Sequence, residues 1–171
     1  MPFDPLMWAE KIEMASPPLA RSLTMIALGL VSPFNFQLRG QLAQWSKTKS
    51  VMKIQCRRPL RNHVGSIHAG ALFTLGETCA GLVIIKNFNF KNHRPLMSKV
   101  QVIYEKQARG DVYGVCEVSE KILEAAHKTL KSKKVPFISV KTLIFDNQDQ
   151  LIARVKTTWQ VKPWKQVRRK K

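Results

Sequence analysis

Three polar side chains near the middle of the chain have types and spacing that could support chemistry. Asn62 and His68 lie in a polar loop, and Glu77 interrupts the most apolar helical pattern in the sequence. A carboxylate buried in such a helix is costly unless another group pairs with it or the protein uses it. A carboxylate can act as a base toward water, and amide or backbone N–H donors can stabilise a developing oxyanion. Segment 62–77 is therefore the candidate site.

The apolar pattern predicts a helix from His68 to Lys86 that positions these groups. The start of that helix offers unpaired N–H groups and a partial positive charge. Glu77 follows His68 by nine residues, roughly 13 Å along a helix that rises 1.5 Å per residue. One chain cannot bring both ends of that span to one atom, so two chains packed antiparallel are expected to share the site.

The remaining pattern predicts an α+β domain. Residues 4–16 and 19–31 are expected to be helices, and Leu19, Leu23, Ile26 and Leu30 give the second helix an apolar face. We expect that face to pack on the parent domain, with membrane contact as the alternative. Alternation and turn residues predict strands at 51–58, 100–104, 112–118, 138–144 and 151–161, with a loop at 87–95 and a surface helix at 120–134. A long helix wrapped by an antiparallel sheet accounts for this order.

The frame N-x5-H-x-G-x6-E, formed by Asn62, His68, Gly70 and Glu77, resembles the signature of the PaaI-like group of hot-dog-fold thioesterases. The resemblance covers about residues 50–162 and includes the strand order after the helix. It implies a hot-dog domain at 50–162, which leaves an N-terminal helical extension at 1–49 and a basic tail at 163–171. The chain departs from the family pattern at Ala69, where the family has glycine, and in the length of segment 120–134.

The resemblance implies hydrolysis of acyl-CoA or a related acyl thioester at a homodimer interface. Glu77 would assist the attacking water, while the Asn62 amide and the N–H of Ala69, with Gly70 as a second donor, would hold the oxyanion. Each residue has a simpler alternative: Glu77 as a paired structural carboxylate, His68 as a helix cap and Asn62 as a turn residue. Ser98 could orient Glu77 or water. Arg57, Arg58 and Arg61 precede Asn62 and are the candidates for binding the coenzyme A phosphates.

Composition bounds the other possibilities. The formal net charge of +18 favours anionic partners. Basic residues are not interleaved with aromatic ones along one strand face, which disfavours nucleic acid. Neither the cysteines nor the histidines have metal-ligand spacing, so no metal or cofactor is predicted.

The N-terminus lacks the features of a signal peptide, and the apolar run 23–31 is too short to span a bilayer. We therefore expect a cytoplasmic protein, with peripheral contact to an anionic membrane as an alternative. The functional alternative is a non-catalytic hot-dog protein that binds acyl chains or lipid, or docks on anionic membranes. Acyl-chain length, and whether dimers pair into tetramers, are left open.

Overall fold

The computed structural model describes residues 17–167, so the predicted helix at 4–16 and the last four residues of the basic tail lie outside the described residues. The helices are α1 (Pro17–Val31), α2 (Ala69–Asn87) and α3 (Glu120–Lys131). The strands are β1 (Gln41–Trp45), β2 (Lys49–Ile54), β3 (His93–Tyr104), β4 (Val112–Glu117), β5 (Phe137–Asp146) and β6 (Leu151–Pro163). Short 3₁₀ turns occupy Pro33–Leu38, Arg58–Leu60 and Trp164–Gln166.

The six strands form one antiparallel sheet around α2. Their order in the sheet is β1-β2-β4-β5-β6-β3, which leaves β1 and β3 at its edges. Helix α2 packs against β2, β4, β5 and β6, and Leu75, Cys79 and Val83 on it are fully buried. This helix is long and apolar enough to cross a bilayer, but most of it is buried inside the domain. It is the core helix around which the sheet folds, as predicted.

Helix α1 forms as predicted but packs through a different side. Leu19, Ile26 and Leu30 are all more than half exposed, so the expectation that this apolar face packs on the parent domain is wrong. Ala20, Thr24 and Ala27 are buried instead. Small side chains allow the helix backbone to approach the domain closely, and the Thr24 hydroxyl donates to the Ala20 carbonyl at 2.8 Å, so its burial leaves no unpaired donor.

Strand β1 was not predicted. It lies within the segment 1–49 assigned to the N-terminal extension, so the sheet begins before residue 50. A register shift between Leu42 and Gln44 interrupts its pairing with β2 and hides the alternation that marks a regular strand. Trp45 ties β1 to the core, because its Nε1–H donates to the Leu82 carbonyl at 2.9 Å and Lys86 Nζ lies 4.2 Å from the ring centre.

Strand β3 is an exposed edge. It begins at His93, within the predicted loop 87–95, and pairs along its length with β6. Large apolar side chains on it are exposed, namely Leu96, Val100, Ile103 and Tyr104. An edge of this length with apolar side chains is suited to pairing with another strand. Strand β2 ends at Ile54 rather than at Arg58, because the chain turns there into a short 3₁₀ segment.

Candidate active site at the start of the central helix

The Asn62 side chain orders the loop that precedes α2. Its Oδ1 accepts from the backbone N–H groups of Val64 and Ser66, both at 3.1 Å, and its Nδ2 donates to the Ser66 hydroxyl at 2.9 Å. Gly65, with φ of 79°, takes the left-handed conformation that closes the turn. Asn62 therefore acts as a turn residue. Its amide still has a second N–H, because Nδ2 carries two hydrogens and donates one to Ser66.

His68 caps the central helix. Its side-chain Nδ1 accepts from the backbone N–H of Gly70 at 2.9 Å, and the backbone N–H of His68 donates to the Leu60 carbonyl at 2.7 Å. The Gly70 N–H is thus already engaged. The N–H of Ala69, at the first helical position, has no partner within residues 17–167. Of the two predicted backbone donors, Ala69 is the one left to receive an oxyanion.

Tyr104 joins this region from the edge strand and was not among the predicted site residues. Its hydroxyl donates to the Ala69 carbonyl at 3.1 Å. The Tyr104 hydroxyl is protonated at neutral pH, because the ordinary pKa of tyrosine is about 10 and partial desolvation raises the pKa of this half-exposed side chain further. The 35 residues that separate the pair leave no local signal in the sequence. In the sequence, a tyrosine at the end of an alternating strand cannot be distinguished from any other strand residue.

Glu77 lies further along α2 and is partly buried. Burial raises the pKa of its carboxyl above the ordinary value, and no neighbouring charge opposes that shift. Within the described part of the chain, no hydrogen bond or ion pair engages this carboxylate. The alternative of a paired structural carboxylate therefore finds no partner among residues 17–167. A poorly solvated carboxylate with a raised pKa is suited to accept a proton near neutral pH.

A cavity of about 160 Å³ opens beside Glu77. Its lining is mostly apolar and comes from α1, α2, the segments after each, and Trp159 of β6. The lining residues are Leu28, Val31, Ser32, Asn35, Glu77, Thr78, Gly81, Leu82, Ile85, Phe90 and Trp159. The N-terminal segment thus contributes one wall, although it was predicted to lie outside the hot-dog domain.

Asn35 is a second residue of this site that was not among the predicted ones. It lies in the 3₁₀ turn after α1, and its Oδ1 accepts from the Thr78 hydroxyl at 3.1 Å. That bond joins the turn to α2 at the residue after Glu77, and Asn35 also lines the cavity. Residues 35 and 78 are distant in sequence, so only the fold brings them together.

The three predicted arginines follow β2 at the entrance to the loop. Arg57 donates to the Gln37 carbonyl, and Arg61 donates to the Cys56 carbonyl at 2.9 Å. Both side chains therefore also hold local structure. Arg58 and Arg61 are exposed, which leaves their remaining N–H groups accessible to an anion.

Ser98 lies on the edge strand at the register shift between Met97 and Lys99. Its hydroxyl donates to the Thr158 carbonyl at 3.1 Å, and no hydrogen bond joins it to Glu77 within residues 17–167. The structure therefore groups Asn62, His68 and Ala69 at the helix start, while Glu77 stands two and a half turns along α2. Within the same residues, no three His, Cys, Asp or Glu side chains cluster closely enough to hold a metal ion.

Solved structures share this architecture. One is a Pseudomonas aeruginosa protein of unknown function, described as a probable thioesterase. Its superposition covers 86% of this chain and 96% of the P. aeruginosa chain, with a TM-score of 0.75 and 20% sequence identity. A mutant of a thioesterase enzyme from Staphylococcus aureus matches 77% of this chain and all of its own, with a TM-score of 0.64 and 17% identity. A Chlorobaculum tepidum protein of unknown function covers 92% of this chain and 96% of its own, with a TM-score of 0.71 and 11% identity. A central helix in a six-stranded antiparallel sheet with these neighbours is the hot-dog fold, as the resemblance implied.

The family is also defined. Residues 20–161 match the model of the domain of unknown function DUF4442, and the chain belongs to this family. The match begins inside α1, so the family unit includes the helix and the first strand that precede residue 50. No curated protein matches the sequence.

Proposed function

We propose that this protein is a thioesterase that hydrolyses acyl-CoA or a related acyl thioester, with the chemistry of the PaaI-like group. The observation that carries the proposal is Glu77, a partly buried carboxylate without a partner in residues 17–167 that faces an apolar cavity. The solved structures described as thioesterases share the fold and support the same class of reaction.

Glu77 is the proposed general base. It takes a proton from water as the water oxygen attacks the thioester carbonyl, which forms a tetrahedral intermediate. The carbon–sulfur bond then breaks, the thiolate leaves and takes up a proton, and the acyl group departs as a carboxylic acid. Burial raises the pKa of Glu77, which brings its basicity closer to what proton transfer at neutral pH requires.

The oxyanion would be held at the start of α2. The Ala69 N–H is available there, and the second N–H of the Asn62 amide is the other proposed donor. Both are backbone-fixed or held by the loop, so little reorganisation accompanies the reaction. An N–H donor does not depend on the side chain, so alanine can serve where the family has glycine. His68 orders the helix start through its cap and takes no direct part.

We further propose a homodimer in which each site combines the helix start of one subunit with Glu77 of the other. The two groups of one chain are roughly 13 Å apart along α2. The exposed apolar edge of β3 offers a surface on which a second copy can pair. In this arrangement Arg58 and Arg61 would attract the phosphates of coenzyme A, and the acyl group would enter the cavity at Glu77.

Hydrolysis of an acyl-CoA panel by the purified protein tests the catalytic proposal. We expect turnover by the wild type and a loss of about 10²–10⁴-fold in kcat for Glu77→Gln, because the variant keeps the shape but cannot accept a proton. Glu124→Gln is the matched control, since Glu124 is an exposed carboxylate on α3. Equal background rates for the wild type and Glu77→Gln would leave a non-catalytic hot-dog protein that binds acyl chains.

Mixed dimers test the sharing of the site. Co-refolding Glu77→Gln with Asn62→Asp chains gives dimers of which about half are mixed, each with one intact shared site. About a quarter of the wild-type activity should then return. If each site lay within one chain, every site in the mixture would carry a defect and no activity would return.

A further inference from the structure

Helix α1 and the turn after it present an apolar surface to solvent. We define the α1 surface by its large side chains, each more than half exposed: Leu19, Ile26, Leu30, Val31, Phe34 and Phe36. Leu30 is 66% exposed and Phe34 is 70% exposed. Single exposed apolar residues are common, but several gathered on one helix and its following turn indicate an interaction site.

Two arginines lie beside this surface. A groove of about 770 Å³ runs between α1, the 3₁₀ turn and β1, and both apolar residues such as Ile26 and Phe36 and the arginines Arg21 and Arg39 line it. Segment 17–76 contains no aspartate or glutamate. Its basic residues are Arg21, Arg39, Lys47, Lys49, Lys53, Arg57, Arg58 and Arg61. Lys49 pairs with Glu117 at 3.8 Å, and Glu77, just after the segment, lies in the cavity lined by Leu28 and Val31. The acidic residues earlier in the chain, Asp4, Glu10 and Glu13, lie outside the described residues.

Exposed apolar side chains beside arginines limit which partners can bind the α1 surface. Two copies packed through the α1 surface itself would set Arg21 and Arg39 of one chain against the same arginines of the other, and like charges repel. An anionic bilayer meets both requirements, because its phosphates attract the arginines and its acyl region accepts leucine and phenylalanine side chains. Phenylalanine and leucine on the apolar side of an interfacial helix are the side chains that enter the headgroup–acyl boundary.

We propose that the α1 surface docks on anionic lipid bilayers, with Leu30 and Phe34 inserted and Arg39 at the level of the lipid phosphates. This proposal does not rest on the proposed reaction. Where that reaction holds, docking places the bilayer one helix away from the site, because Leu28 and Val31 of α1 line the cavity at Glu77. A substrate with a membrane-dissolved acyl chain would then have a short route to the carboxylate.

Vesicle co-sedimentation of the full chain tests the proposal. We expect binding to vesicles of equal parts phosphatidylcholine and phosphatidylglycerol, weaker binding as salt rises, and little binding to phosphatidylcholine alone. Leu30→Gln/Phe34→Gln should weaken binding by about tenfold or more, because two apolar insertions are lost. Ile122→Gln/Phe137→Gln is the matched control, since it also changes one exposed helix residue and one exposed phenylalanine. It should leave binding unchanged.

Further experiments distinguish membrane docking of the α1 surface from binding through the basic tail and from self-association. Thermal melts of both double variants show whether each is folded. Removal of residues 168–171 should lower binding but preserve the difference between the two double variants. Equal vesicle binding by the two double variants would overturn the proposal. So would binding that disappears with the tail alone, or a change in the oligomeric state of Leu30→Gln/Phe34→Gln without a change in vesicle binding, which would make the surface a contact between copies.

Discussion

Gly76 of the central helix lies directly against Val155 of β6. A β-carbon at residue 76 would stand 2.4 Å from Val155 Cγ2 and 2.6 Å from Val155 Cβ, closer than carbon atoms approach. Glycine inside a helix is less favourable than alanine by about 1 kcal/mol. The close contact between helix and sheet explains why glycine occupies this position. Since Glu77 is the next residue, the same contact fixes how deep the carboxylate sits.

Gly76→Ala should therefore destabilise the protein even though alanine favours helices. We expect a loss of about 1–3 kcal/mol in the free energy of unfolding, because the new methyl group overpacks the core. Chemical denaturation measures it. Gly110→Ala is the control, since no atom lies within 4 Å of a β-carbon there, and it should be close to neutral. Combining Gly76→Ala with Val155→Ala should cost less than the sum of the two changes, and simple additivity would argue against the contact.

The raised pKa of Glu77 makes stability depend on pH. Burial favours the protonated carboxyl in the folded state, so the folded protein binds more protons than the unfolded chain between the ordinary and the raised pKa. As the pH rises from the ordinary pKa of glutamate through the raised pKa of Glu77 in the folded protein, the contribution of Glu77 to the free energy of unfolding therefore falls. Glu77→Gln should be more stable than the wild type at pH 8, with little difference at pH 3. Thermal melts at the two pH values check this, and each kcal/mol corresponds to about 2–4 °C in Tm. A constant difference across pH would contradict it.

Asn62→Asp separates the two roles of Asn62. The aspartate keeps the oxygen that accepts from Val64 and Ser66, and the Ser66 hydroxyl can donate to it, so the turn should persist. It removes the amide donor and places a negative charge near the proposed oxyanion site. We expect an unchanged fold by circular dichroism and a fall in kcat of about 10²–10³-fold. Unchanged turnover would leave Asn62 with the structural role alone.

His68→Asn tests the cap in the same way. Asparagine is a good N-cap, so it should replace the bond from the Gly70 N–H to His68 and preserve both stability and kcat. His68→Ala removes the cap and should cost about 1 kcal/mol in the free energy of unfolding. If His68→Asn is stable but inactive, the imidazole has a chemical role beyond the cap.

Much of the architecture was predictable because it depends on local patterns. The apolar run of α2 and the alternation in β4, β5 and β6 are periodic, and the structure places these elements where the sequence predicted them. Strand β1 lacks that periodicity because of its register shift, and it was missed. The prediction of which side of α1 packs on the domain was also wrong. It relied on the spacing of large apolar residues, whereas the side that packs carries small residues.

In the candidate site too, local spacing was predictable and tertiary contacts were not. The spacing of Asn62, His68 and Glu77 is local, so the sequence could place them on one loop and one helix. Asn35 and Tyr104 reach the site only through tertiary contacts with Thr78 and Ala69. The engagement of the Gly70 N–H by His68 depends on the side-chain conformation at the cap, which spacing cannot specify.

In the proposed homodimer, the bond between the Tyr104 hydroxyl and the Ala69 carbonyl would make the rate of hydrolysis depend on protein concentration. Tyr104 lies at the end of the exposed edge strand, and Ala69 is the first residue of the central helix. A copy that pairs along β3 would hold Tyr104 in place and, through it, the first helical turn with its free N–H. On dilution into monomers that support would be lost together with the partner's carboxylate. Specific activity should therefore fall with dilution in parallel with dimer dissociation, so that assembly itself acts as the switch for turnover.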